Sequence, residues 1–68
     1  MLRISGVVLP GQKRAMISLT AIKGIGRPLA MKILTELRID PLTKTDDLKE
    51  ADQALIRTRI EKELTEGE

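Results

Sequence analysis

Gly24 and Gly26 stand one residue apart in the stretch Ile22-Lys23-Gly24-Ile25-Gly26-Arg27-Pro28-Leu29-Ala30-Met31-Lys32-Ile33. Runs with apolar residues at helical spacing lie on both sides of them. A tight Gly-x-Gly turn that opens a helix aims backbone N–H groups outward, and the helix dipole adds partial positive charge at the same place. Such a turn is a seat for a phosphate. Lysines and arginines surround it and no catalytic group lies nearby, so the phosphate to expect belongs to a nucleic-acid backbone.

Other phosphate chemistries fail on the same residues. A dinucleotide-binding turn needs a preceding strand and a third glycine, but position 29 is Leu and a helical pattern precedes the turn. A P-loop needs Gly-Lys-Ser/Thr, which does not follow. Asp40, Asp46, Asp47 and Glu61 fall in a polar linker or on a charged helix, where a solvated acidic face accounts for them. The chain has neither histidine nor cysteine to act as base or nucleophile, so no enzyme is expected. The same absences remove the usual zinc site and any disulfide, and no cofactor motif is found. Used purely for geometry, the glycine pair would only join two helices.

Charge placement favours the phosphate reading. Residues 1–38 carry seven bases (Arg3, Lys13, Arg14, Lys23, Arg27, Lys32, Arg38) against one acid, Glu36, whereas residues 39–68 carry five bases and nine acids. The halves are therefore +6 and −4, and together give the chain's net +2. A basic half joined to an acidic one implies a face for a polyanion and another turned elsewhere. Aromatic residues are absent, so no base can stack on an aromatic ring, and the core must be aliphatic. At 68 residues without staples, the domain is small enough to draw part of its stability from a partner. No run of about 18 apolar residues exists to span a membrane. The first six residues have no long apolar stretch of the kind a leader needs.

The elements that must position these residues are legible in outline. Residues 1–11 read as a short extended arm or edge strand, rich in Ile and Val, closed by the turn signal Pro10-Gly11. Residues 12–22 read as a helix with Ala15, Leu19 and Ile22 on one stripe, Met16 beside it, and Lys13 and Arg14 in its first turn. Bases there oppose the dipole, which hints at an external anion. Of Gly24 and Gly26, one is expected at positive φ. Pro28 suits the first turn of a second helix with Leu29, Ala30, Ile33, Leu34 and Leu37 inward. Ile39-Asp40-Pro41 breaks it. A polar linker, 42–47, follows, with Thr45 or Asp46 as a cap for a short turn at Leu48. A third helix is expected over about 50–64, with a narrow seam of Ile56, Ile60 and Leu64 and further apolar residues at Ala54 and Leu55. Residues 65–68 read as a frayed tail. The expectation is a single all-α domain over 1–68, with an arm and a helical core over 12–64. Its first two helices would form a helix–two-turns–helix-like hairpin around Gly-Ile-Gly.

Laid out in order, the motifs resemble the N-terminal domain of the universal small-subunit ribosomal protein thirteen family. The resemblance runs through Arg3-Ile4-Ser5-Gly6-Val7, Leu9-Pro10, Lys13-Arg14, Leu19-Thr20, Ile22, Gly24-Ile25-Gly26, Ala30, Ile33-Leu34, Ile39-Asp40, Asp47-Leu48, Arg57 and Ile60-Glu61. It implies a domain in the head of the small subunit, bound to small-subunit rRNA and to neighbouring head proteins, near bridge elements of the large subunit. Family members continue into a basic C-terminal extension that reaches toward transfer RNA. This sequence stops at Glu68 in an acidic stretch, so the transfer-RNA contact is not carried over. Leu37-Arg38 stand where a small residue and glycine are usual, which implies a different exit from the second helix. Leu2, Ser5 and the missing extension lean toward an organellar, mitochondrial ribosome over a bacterial one. The residues expected at RNA are Arg3, Lys13, Arg14, Lys23, Arg27 and Lys32 through their charges, and Gly24 and Gly26 through backbone N–H groups. A helix–hairpin–helix module of a DNA-processing protein is the rival reading. It keeps the phosphate seat but has no need of the Arg-Ile-Ser-Gly-Val arm. A protein-interaction helical domain, its basic half meeting an acidic partner, is a third.

Overall fold

The structure, a computed structural model, describes residues 2–66. It is mostly helical but opens on a β-hairpin. β1 (Arg3–Ile4) pairs antiparallel with β2 (Val7–Val8) in the register Arg3↔Val8 and Ile4↔Val7. Ser5 (φ 51°) and Gly6 (φ 79°) make the two-residue turn. Two successive positive φ values are what a type I′ hairpin turn requires, because its twist matches that of the strands. The extended arm is thus folded back on itself, and Leu9 N–H closes the ladder on the Leu2 carbonyl at 2.8 Å. Leu2, Ile4 and Leu9 enter the core, while Arg3 and Val8 face outward. This alternation is the period of two that strands impose.

The first helix is much shorter than residues 12–22. α1 covers Ala15–Ser18 and passes into a 3-10 turn, Leu19–Ala21. Lys13 precedes it and Arg14 is its N-cap in an extended conformation, so neither base lies in the first helical turn. The reason is a long-range backbone pairing. Ala15 N–H donates to the Thr43 carbonyl (2.8 Å) and Thr45 N–H donates to the Lys13 carbonyl (3.0 Å), which holds Arg14 extended. Ala15, Leu19 and Ile22 are buried as their spacing requires.

α2 (Arg27–Glu36) has Pro28 in its first turn and buries Ala30, Ile33 and Leu34, with Leu29 and Leu37 packed at the edge. It ends in a Schellman arrangement, with Arg38 N–H on the Thr35 carbonyl (3.1 Å) and Ile39 N–H on the Leu34 carbonyl (2.9 Å). That motif needs a left-handed residue, and Arg38 supplies it at φ 60°. The exit is therefore the one glycine favours, not a new one.

Residues 42–47 do not behave as a free linker. A 3-10 turn spans Thr45–Asp47, with Lys44 at its N-cap position and no side-chain cap. Thr45, expected as a cap, is instead buried. Its Oγ1 donates to Ser18 Oγ (2.6 Å), and Ser18 Oγ donates onward to the Pro10 carbonyl (2.8 Å). Two hydroxyls inside an apolar core are tolerated because each is hydrogen-bonded. α3 (Glu50–Glu66) runs two residues past the expected end, and residues 67–68 of the tail lie outside the described residues. Ile56 and Ile60 are fully buried and Leu64 partly, whereas Ala54 and Leu55 are exposed. Arg59 ties α3 to α2 by pairing with Glu36 and with Glu63 (Nε–Oε1 3.1 Å). Its guanidinium pKa is raised by the hydrogen bond to Glu36 first and that to Glu63 second. No helix among the described residues is long and apolar enough to cross a membrane.

Candidate nucleic-acid interface

The turn between the 3-10 segment and α2 is built on one glycine. Gly24 takes φ 96°, a conformation that side chains rarely adopt. Ile25 follows with its N–H on the Ile22 carbonyl (3.0 Å) and its side chain buried at 3 % exposure. Ile25 therefore packs and does not face outward. Gly26 is different: its φ of −90° and ψ of 175° suit any residue, and a Cβ there would meet only Pro28 Cδ at an ordinary 3.7 Å. What Gly26 contributes is the lack of a side chain at the N-cap. α2 begins with no side-chain cap and no acid in its first turn. Ala30 N–H is taken by the Gly26 carbonyl (2.9 Å), Pro28 has no N–H, and the N–H groups of Arg27 and Leu29 precede the first intrahelical bond.

Arg3, Lys13, Arg14, Lys23, Arg27 and Lys32 are all exposed, as are Gly24 and Gly26. They do not form one cluster. Lys23 and Arg27 flank the glycine turn. Lys32 lies five residues beyond Arg27, about 140° further round α2 at about 100° per residue, on the side that carries Glu36. Arg3 belongs to the hairpin, where its carbonyl accepts from Arg57 Nε of α3 at 3.4 Å. Lys13 and Arg14 stand at the start of α1. There the structure adds a cation that sequence reasoning missed: Lys44 is directly opposite Arg14 in an antiparallel bridge. Only a pairing 30 positions apart in sequence brings them together, and no local pattern signals it.

The electrostatics sharpen the charge split. Glu36 is the one acid among residues 1–38, and it is engaged by Arg59 from α3. The seven bases of that half therefore keep no free acid of their own. Among the described residues, no three His, Cys, Asp or Glu side chains gather as a metal would need.

Fold and charge layout define a small, mostly helical domain whose N-terminal half exposes all seven of its bases. The chain belongs to the ribosomal protein S13/S18 family, whose model matches residues 3–67. It is 49 % identical over 63 residues to the small ribosomal subunit protein uS13 of Acidobacterium capsulatum, a match covering 93 % of this chain and 50 % of that protein. The chain thus spans about half the length of the curated relative it matches. The mitochondrial expectation draws no support from this bacterial relative.

Proposed function

We propose that this chain is a structural, non-catalytic component of the small ribosomal subunit. It docks on the phosphate backbone of small-subunit rRNA and takes its place in the head beside neighbouring proteins and bridge elements. Membership of the S13/S18 family carries the reading. The physical support is a segment, residues 1–38, whose seven bases are all exposed and whose one acid, Glu36, is paired with Arg59. Without aromatic residues the recognition is of RNA shape and backbone, as structured RNA allows. α1, the 3-10 turn and α2 act as a hairpin around Gly24-Ile25-Gly26. Ile25 plugs it into the core, and the uncapped start of α2 offers N–H groups to a phosphate. Arg3, Lys13, Arg14, Lys23, Arg27 and Lys32 supply the surrounding charge.

Co-sedimentation of the tagged protein with small ribosomal subunits at moderate salt tests the reading. Replacing Lys13 and Arg14 together by alanine is expected to weaken binding to small-subunit rRNA and flatten its salt dependence by about two contacts' worth. Failure to sediment with subunits, together with tight binding to duplex DNA, would instead identify a DNA-processing module.

A further inference from the structure

The bridge between Arg14 and Lys44 is chemically odd. Its two hydrogen bonds, Ala15 N–H to Thr43 O and Thr45 N–H to Lys13 O, bracket the pair without involving either residue's own N–H. That makes Arg14 and Lys44 a non-hydrogen-bonded antiparallel pair, the kind whose Cα atoms approach to about 4.5 Å and whose side chains share one face. Like charges set directly opposite one another are destabilising. Both residues are exposed. Among the described residues no acid is in ion-pair contact with them, and the ion pairs there are those of Arg59 alone. Asp40 Oδ1 accepts the Leu42 N–H (2.9 Å), and the Asp46 carboxylate lies over Gly11. The loop carrying Lys44 is also firmly placed, through the buried Thr45–Ser18 hydroxyl pair and through Asp46 N–H on the Gly11 carbonyl (3.1 Å).

We propose that Lys44 is an RNA-contacting residue, joining Arg14 in a preformed two-cation anchor for one backbone phosphate, separate from the glycine turn. The anchor rests on the rRNA-binding reading above and deepens it. The repulsion within the pair is a cost carried by the free protein and relieved by the bound anion. Stability and binding must therefore respond to Lys44 with opposite sign. A merely structural lysine would not behave in this way.

The test compares the full chain with Lys44→Glu, Lys44→Gln and, as a charge-matched control on the exposed face of α3, Lys62→Glu. The probe is rRNA extracted from small ribosomal subunits, titrated over a range of salt. Lys44→Glu is expected to melt above the wild type at low salt, because it turns a like-charge pair into a cross-strand ion pair. It is expected to bind roughly tenfold more weakly at ~0.1 M salt. Lys44→Gln should lower the salt slope by about one, and Lys62→Glu should leave it unchanged. An unaltered slope in Lys44→Gln, with the wild type binding normally, overturns the anchor alone. So does a loss in Lys62→Glu as large as that in Lys44→Glu. A wild type that does not bind the rRNA overturns the function and the anchor together. Should Lys44→Glu melt lower than the wild type, the pair is not repulsive and the argument from strain fails.

Discussion

The two turns that bound α2 use the same device with opposite residues. Before the helix, Gly24 at φ 96° is followed by buried Ile25; after it, Arg38 at φ 60° is followed by buried Ile39. In each case a left-handed residue reverses the chain so that the next isoleucine drops into the core. Glycine takes that conformation without strain, whereas a residue with a Cβ gives up about 1–2 kcal/mol. The leading turn is thus relaxed and open on its outer surface. The trailing turn is strained and carries a cation. The isoleucines make each turn obligatory, and the residue before them decides only how much it costs.

The largest effect should come from the isoleucines. Ile25→Ala is expected to cost about 2–5 kcal/mol through lost burial and the cavity left behind. That is about half of what a domain of this size has, at roughly 0.05–0.15 kcal/mol per residue. Ile39→Ala should fall in the same range. Urea unfolding measures both, and a near-neutral result at either position would break the equivalence of the two turns. Gly24→Ala comes next, at about 1–2 kcal/mol, because the strain that Arg38 already bears would be imposed on the leading turn. Space is not the issue there: a Cβ on Gly24 would meet only Leu64 Cδ2, at 3.6 Å. A Gly24→Ala protein as stable as the wild type would mean that the positive φ is not required.

The comparison also explains what could be read from the sequence. The inward faces of α2 and α3 were legible because apolar side chains recur at helical spacing, along most of α2 and in the narrower seam Ile56, Ile60 and Leu64 of α3. The glycine turn, Pro28 and the break at Ile39-Asp40-Pro41 were legible because each is a local backbone constraint. The hairpin was not, since two-residue strands offer too little alternation, although Ser5-Gly6 is a turn dipeptide that could have marked it. The short α1 and the docked loop were beyond reach for another reason. They depend on Ala15, Thr43, Thr45 and Lys13 exchanging backbone hydrogen bonds across the chain, and sequence periodicity carries no trace of that pairing. Of the candidate interface, the bases were legible but their placement in the fold was not. Lys44 joins Arg14 only through that same exchange. At Arg38, the absence of glycine does not remove the geometry, because a completed Schellman hydrogen-bond pair imposes the left-handed conformation on a residue with a side chain.

Arg38→Gly sharpens the contrast from the other side. Relief of the left-handed strain favours the folded state, while the extra freedom of glycine in the unfolded chain takes part of it back. The expected net gain is about 0.5–1 kcal/mol, seen as a higher urea midpoint at unchanged slope. If Arg38→Gly gives no gain, then the arginine side chain earns its conformation through contacts beyond the backbone.

Gly26→Ser should have the smallest effect on stability and is the most informative about the surface. The N-cap position is vacant of any side chain, and serine is a favoured cap whose Oγ accepts from the N–H two or three residues on. Pro28 has no N–H to give, so the acceptor would reach Leu29. The free protein is then expected to gain about 0.3 kcal/mol, because the backbone at φ −90° accommodates serine without strain. The same bond occupies an N–H group that the proposed function assigns to a phosphate. A docked RNA should therefore bind Gly26→Ser several-fold more weakly, with its salt slope unchanged because no charge has been removed. Weaker binding at constant slope separates the backbone seat from the lysines and arginines around it. Unchanged binding would reduce the Gly24–Gly26 turn to its geometric task of bringing Ile25 into the core, and would leave the docking to the charged side chains alone.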